Sequence, residues 1–465
     1  MPSRSLTDKR NTWGDWPGVL RRKGRRRLDW VIPLIYSVAA VVLGMAIPRL
    51  EHRYLPRLVA PMPSSVAIAI DSSVASGMLA LTGIVFALAF VMVQFGAVAY
   101  SPRLVSWISR DRLMMHAIGA FTATFLYALA ALAWVDRLGS GQVPFLSTLV
   151  VVLLVVASVG IFVALVQRLQ SLQVQSVLIF VGEQGRNVIE DFYPPLDTPA
   201  TTVSSNELER LPVTQVLVDT GRPRTIQALD FAALFDLACQ AGAIVEVVSA
   251  VGDTIGEGII LLRVYGGRNR IDNRKLIAAF ILGDERTFEQ DPKYAIFLLV
   301  DIAMRALSPA VNDPATAVQA LDQIEDLLLR LARRRLEIGG FRDSDGELRL
   351  VVPFPEWEDF LTLGLEEIRH CGATSKHVSR RMCALLSDLL EVAPPDRHHG
   401  LLREQARLEA VIARSFSDAD ELMLASVEDR QGIGAPRKRH TASRPLRGAP
   451  DPVSRTASVS RTRGL

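Results

Sequence analysis

The densest local chemistry in the chain is the run Asp301-Ile302-Ala303-Met304-Arg305-Ala306-Leu307-Ser308-Pro309-Ala310-Val311-Asn312-Asp313-Pro314. Asp301 and Arg305 stand four apart, the spacing at which opposite charges meet on one helix face. Pro309 requires that helix to stop before it. Asp313 and Pro314 are the residue types of an N-cap and a first helical position. Two readings of Asp301, Arg305, Ser308, Pro309, Asn312, Asp313 and Pro314 follow. In one they form a rigid helix–turn–helix corner, with Ser308, Asn312 and Asp313 satisfying backbone groups. In the other, Asp301, Arg305, Ser308 and Asn312 meet a ligand or a neighbouring subunit. Nucleophilic catalysis is not indicated, because Ser308 has no histidine near it in sequence. There is no phosphate-cradling glycine loop and no cluster with metal-ligand spacing. We therefore assign no catalytic, cofactor-binding or metal-binding residue, and expect no enzyme and no cofactor. His370 and His377, with Cys371 and Cys383 nearby, read as ordinary solvated residues. Cys239, Cys371 and Cys383 lack paired spacing, so neither disulfides nor a thiolate metal site is expected.

The elements around this run divide sharply. Four long apolar stretches, residues 30–48, 74–100, 113–135 and 145–167, fill the first 170 positions, and none follows. Each is near or above the roughly 18–20 residues that cross a hydrocarbon core, and each is free of charge in its interior. A buried soluble helix of that length would show a polar face, and these do not. The absence of internal Asp, Glu, Lys or Arg argues against a proton relay or voltage sensor. Gln94 is the most polar side chain deep in a span, and Ser101-Pro102-Arg103 stops the second helix with Arg103 at the inner interface. Gly83 with Ala87, and Gly119 with Ala123, have the spacing at which helices approach closely in lipid.

A basic cluster, Arg21, Arg22, Lys23, Arg25, Arg26 and Arg27, precedes the first span. No small-residue cleavage site follows Ala46, so the span reads as a retained helix. The positive-inside rule puts the N-terminus in the cytoplasm. Arg103, Arg110 and Arg112 put the second loop inside, and the nearly neutral loop 136–141 outside. Arg49, Arg53 and Arg57 are a weaker counter-signal. Four spans return the chain to its starting side, so both termini are expected in the cytoplasm and the protein in the inner (plasma) membrane.

The net charge of +3 hides a partition. Residues 1–30 carry nine Lys/Arg against three Asp/Glu, and residues 430–465 carry nine against one, leaving an acidic body. Basic ends of this kind suit anionic lipid at the N-terminus rather than nucleic acid. The expected partners are the lipid bilayer, anionic lipid and further copies of the chain.

Beyond the spans, an amphipathic helix should run to about Asp191, followed by a linker from Pro194-Pro195 to Asn206. Residues 213–219 alternate as a strand and 231–241 read as a helix. Two further strands, 243–248 and 258–264, flank the turn Val251-Gly252-Asp253-Thr254-Ile255-Gly256-Glu257-Gly258. That turn resembles the hairpins of biotinyl/lipoyl-type β-sandwiches, but their modified lysine is absent, so no carrier role is expected. Residues 313–338 form an amphipathic helix with Leu321, Ile324, Leu328 and Leu331 on one stripe. A hairpin turn over 341–348 leads to Leu350-Val351-Val352. Helices over 357–391 and 397–428 follow, broken at Pro394-Pro395. The expected fold is a membrane α-helical bundle of four transmembrane helices, followed by a cytoplasmic α+β region with a small β-hairpin module and a helical module. Its divisions are a basic segment 1–29, the spans 30–168, a helical extension and linker 169–206, an α+β module 207–285, a mainly helical module 286–430 and a disordered basic tail 431–465.

The run at 301–317, with Tyr100-Ser101-Pro102-Arg103-Leu104 and Gly119-Ala120-Phe121-Thr122-Ala123-Thr124-Phe125-Leu126-Tyr127-Ala128-Leu129, resembles the bacterial predicted membrane proteins of domain-of-unknown-function family 2254. The resemblance extends over roughly residues 30–425. It implies an integral membrane protein with a multi-span N-terminal region and a cytoplasmic C-terminal domain, and it implies no activity. Members tend to carry histidine soon after the fourth span, where this chain has Gln167-Arg168-Leu169-Gln170, so no metal or proton function is placed there. Two functions remain open. One is an oligomeric channel or transport-like unit with a cytoplasmic regulatory domain. The other is a membrane-anchored sensing or protein-interaction module without permeation.

Overall fold

The computed structural model describes residues 31–55, 60, 62–99, 103, 112–135, 143–170, 174–200, 203 and 205–434. The basic segment 1–29, Ser101, Pro102, Arg57, Arg110, the loop 136–141 and the basic tail from 435 lie outside the described residues.

Four apolar helices lead: α1 (Val31–Tyr54), α2 (Ser64–Ala99), α3 (Arg112–Leu132) and α4 (Phe145–Gln170). All four are long and apolar enough to cross a membrane. In α3, 44% of the span is buried, against 17% in the other three, which makes α3 the centre of the bundle. Close backbone approach holds α1 to it. A Cβ on Gly44 would lie 2.7 Å from the Ala130 Cβ, and one on Gly119 would lie 3.1 Å from the Tyr36 ring. Gly83 and Ala87 on α2 instead face outward.

The helices run past the apolar stretches that reveal them. Helix α1 continues to Tyr54 and α2 starts at Ser64, so they contain Glu51 and Asp71, both buried. The expectation of charge-free spans is thereby corrected. Hydropathy bounds an apolar stretch, whereas a helix continues wherever its charges turn into the bundle. The Glu51 carboxylate accepts the Leu146 and Ser147 backbone N–H groups at 2.9 and 3.3 Å, capping the exposed donors of α4 from another helix. Thr124 and Ser158 share a buried hydroxyl contact at 3.0 Å, and Tyr127 and Ser147 another at 3.4 Å.

The region that follows has two cores. One is helical, built from α5 (Val174–Phe192), α9 (Pro292–Ala306), α10 (Pro314–Ala332), α11 (Trp357–Cys371), α12 (Lys376–Val392) and α13 (His398–Ser415). Its centre is α10, whose Leu321, Ile324, Leu328 and Leu331 are fully buried, as their helical stripe requires. Helix α10 ends at Ala332 rather than 338, where the buried Arg397 guanidinium receives its last carbonyls, donating to Leu331 O and Arg334 O at 2.6 Å each. The expected helices over 357–391 and 397–428 are each two. Gly372 and the Ser375 N-cap separate α11 from α12, and Asp418 caps α14 (Ala419–Ser426) after α13. Arg381 of α12 is buried against Glu325 and donates to Asp322 at 2.7 Å, pinning α12 to α10.

The second core is a β-rich layer. It contains α6 (Ser205–Glu209), β1 (Val213–Val218), β2 (Arg224–Leu229), α7 (Phe231–Ala241), β3 (Ala243–Val247), β4 (Thr254–Ile255), β5 (Ile260–Gly266), α8 (Asn273–Ala278), β6 (Phe280–Gly283), β7 (Gly340–Arg342) and β8 (Leu348–Val351). The large sheet has the order β1-β5-β3-β8-β7, and a small sheet the order β4-β2-β6. Strands β3 and β5 pair as the sequence implies. Their connection is not a plain hairpin turn, because β4 leaves it to pair with β2. Strands β7 and β8 come from beyond residue 286, so the sheet draws on both sides of the division at 285. Phe354, just after β8, packs against Phe231 of the β layer and Tyr193 of the helical core, joining the two. The stretch after Pro194 is strapped down: Arg334 donates to Tyr193 O at 2.9 Å and Arg335 to Leu196 O and Thr198 O at 2.6 and 3.1 Å.

Candidate functional site

The run that stands out in the sequence forms the corner between α9 and α10. Ser308 Oγ donates to Arg305 O at 2.7 Å, and the Asn312 N–H donates back to Ser308 O at 2.8 Å. Asn312 has φ of 48°, the one positive value outside glycine among the described residues. Asp313 caps α10 by accepting from Thr316 N at 3.1 Å and Thr316 Oγ1 at 2.6 Å, and Pro314 is the first helical residue. Pro309 and Asn312 are exposed at the tip. Ser308, Asn312 and Asp313 thus serve the backbone, while Asp301 and Arg305 lie one to two turns back along α9.

Asp301 does more than its spacing indicates. Arg305 Nε lies 3.9 Å from it, as expected for a partner four residues on. Arg103, which follows α2, comes closer, with Nη1 3.3 Å from Asp301 Oδ2. The Arg103 guanidinium also sits over the Phe297 ring, 4.8 Å from its centre. One arginine that follows a membrane helix therefore contacts two positions, four apart, on α9 of the helical core. Gln94, the other candidate on α2, is exposed.

Beside this grip opens a cleft of about 870 Å³. Arg103 closes one side. Tyr294, Phe297 and Lys293 come from α9, Thr225 and Thr254 from the small sheet, and Asp284, Glu285 and Arg286 from the segment after β6. Glu358, Asp359, Thr362 and Leu363 of α11 complete the lining. Lys293 and Asp359 also line a neighbouring cavity of about 190 Å³, where Asp291 is 3% exposed.

Local sequence explains how these groups are held. Asp291-Pro292 starts α9 as Asp313-Pro314 starts α10, with Asp291 Oδ1 accepting from Lys293 N at 3.1 Å. Gln290 pairs its amide with Leu229 N and O at 2.9 and 3.1 Å, which sews this helix start to β2. Asp291 Oδ2 is buried without a hydrogen-bond donor, and Arg286 Nη1 reaches only to 3.5 Å. Gly252, in the turn between β3 and β4, lies against that oxygen with φ of 91°. A Cβ there would come within 2.5 Å of it. Burial raises the Asp291 carboxyl above its ordinary range, against the opposing pull of Arg286 and Lys293. Burial likewise raises the Tyr294 hydroxyl, and Glu285, Arg103, Arg286 and Asp291 all lie near enough to act on it. Tyr294 thus stands near charges from Arg103 after α2, from the segment after β6 and from the cap of α9.

The sequence reading missed Arg286, Asp291, Lys293, Tyr294, Glu358 and Asp359. The repeated Asp-Pro pair was a signal for Asp291. The others are ordinary charges until distant elements meet.

Comparison with known proteins agrees with this architecture. The family described as predicted membrane proteins, DUF2254, matches residues 26–388. The chain belongs to this family. Uncharacterised proteins of Mycobacterium bovis and Mycobacterium tuberculosis are 26% identical to it over 430 residues, covering 88% of this chain and 82% of theirs. No solved structure matches. For this DUF2254 member, then, the four apolar helices and the mixed region after them have a named family, and the activity has none.

Proposed function

We propose that this protein is a membrane-anchored sensing module, in which a small polar ligand held in the cleft acts on the membrane helices through Arg103. The observation that carries this reading is the lining of the cleft. Arg103, which follows α2, shares one cavity with α9, α11 and the small sheet, so an occupant touches both regions at once. An uneven distribution of charge along the chain supports a cytoplasmic position for the region after α4, in the inner membrane, with anionic lipid at the basic N-terminus. Catalysis has no place in this reading.

A second reading is an oligomeric permeation unit. It draws on Gly83 and Ala87, which face outward on α2 and would let a second copy approach closely.

The test uses the full-length protein in lipid nanodiscs. Thr362→Trp, on the exposed face of α11 that lines the cleft, should change hydrogen-exchange protection in α9 and at the end of α2. Unchanged protection at the end of α2 would remove the coupling and the sensing reading with it. Voltage- or tension-dependent conductance of the same protein in planar bilayers would favour permeation instead.

A further inference from the structure

We infer that the cleft binds a zwitterion made of a phosphate and a primary ammonium, and that its source is the headgroup of an aminophospholipid. This deepens the sensing reading and rests on it.

Charge balance is the first argument. The cleft holds three cations, Arg103, Arg286 and Lys293, and four carboxylates, Asp284, Glu285, Glu358 and Asp359. A site of nearly balanced charge rejects a ligand of one sign and favours one that carries both.

The three cations and the two α11 carboxylates come from separate elements. Arg103 and Arg286 lie near enough to act on the Tyr294 hydroxyl, as does Glu285, and Lys293 precedes Tyr294 at the start of α9. That corner offers guanidinium, ammonium and hydroxyl donors, the groups that hold a phosphate. Glu358 and Asp359 lie together at the start of α11, where an ammonium finds acceptors. The cations are anchored from behind: Asp301 holds Arg103 at 3.3 Å, and Asp291 faces Arg286 at 3.5 Å. Two of the carboxylates are shared with neighbours. Arg222 donates to Asp284 at 2.9 Å, and Arg403 to Glu358. Asp359 accepts from the Glu356 N–H at 2.9 Å. Each carboxylate has a second oxygen, and each oxygen further lone pairs, for a ligand.

Size and position select the source. A volume of about 870 Å³ exceeds what a free amino alcohol phosphate needs and leaves room for glycerol and the start of acyl chains. Phe297 and Leu363 supply apolar lining for those. Arg103 comes four residues after the last residue of a membrane helix, so the cleft opens at the level where headgroups lie.

The full-length protein, delipidated and returned to phosphatidylcholine nanodiscs containing either phosphatidylethanolamine or phosphatidylglycerol, provides the test. Native mass spectrometry reads which lipid stays bound. We expect phosphatidylethanolamine to be retained about tenfold over phosphatidylglycerol. Lys293→Gln and Arg286→Gln should abolish that retention, and Glu358→Gln should abolish the preference while keeping binding. Thr362→Trp, which removes no charge, should block retention by filling the cleft and guards against loss through misfolding. Stabilisation by soluble phosphoethanolamine, with no lipid retained, would assign the same chemistry to a free metabolite. Equal or better retention of phosphatidylglycerol overturns the proposal, as does retention of phosphatidylethanolamine by Thr362→Trp. A cleft that couples to α2 yet ignores both amine phosphates would leave the sensing reading standing and sink this ligand alone.

Discussion

Asn312 holds the corner between α9 and α10 in a backbone region that costs an ordinary residue about 1–2 kcal/mol. Asparagine tolerates it and glycine adopts it freely. Asn312→Gly should therefore leave thermal stability nearly unchanged, whereas Asn312→Val should lower it by about that amount. Equal effects of the two in thermal unfolding would mean that the side chain, not the backbone, is what the corner needs. Asp291 allows a prediction with pH. Its carboxyl is raised in the folded protein above 3.8, so the folded state holds a proton that the unfolded state releases. The associated stability is present below that pH and fades as pH rises through the raised value. Asp291→Asn keeps a good N-cap and carries no charge to bury. Its stability relative to the parent should improve as pH rises from 3.8 through the raised value, and level off above it. A gap that stays flat or narrows over that range would show that Arg286 fully offsets the burial.

At the scale of elements, the join between α1 and α4 depends on a carboxylate. Glu51 accepts two of the N–H groups that α4 cannot satisfy by itself. Glu51→Ala should cost about 0.5–2 kcal/mol, the range for a lost cap, seen as a lower melting temperature in detergent. No change would mean that water replaces the carboxylate. Such elements differ in how far the sequence reveals them. Helix α10 and its Asp313 cap are legible because their signals are local: a stripe of leucines, then Asp-Pro. The split of α11 from α12 hangs on Gly372 and Ser375, weaker marks within a continuous amphipathic pattern. Glu51 and Asp71 lay just outside the apolar stretches, so hydropathy assigned them to loops.

At the scale of the molecule, the proposed orientation follows from parity: if all four apolar helices cross the membrane, the region after α4 shares a side with the N-terminus. In sealed, right-side-out vesicles, external protease should spare residues 174–434, and should cut them once the membrane is opened. Cleavage in intact vesicles would reverse the proposed orientation. The cleft itself was not legible in advance. Arg103 and Asp301 are separated by half of the bundle and most of the β layer, and Arg286, Lys293 and Glu358 look like solvated charges until those parts assemble. The residues that the sequence singled out mark the corner beside the site, because backbone geometry leaves a local pattern and a shared cavity does not.

The parallel pairing of β3 with β8 bears on how the protein is made. Val245 pairs with Leu350, roughly a hundred residues downstream, and the intervening chain supplies β4, β5, β6, α9 and α10. While the ribosome is still working through that stretch, the four spans have left it and one edge of β3 stands open. The β layer is completed only after α10 has been synthesised, so its closure waits for the helical core rather than preceding it. A nascent chain halted before residue 348 should therefore carry its four apolar helices and an unfinished sheet, with the β8 side of β3 unpaired.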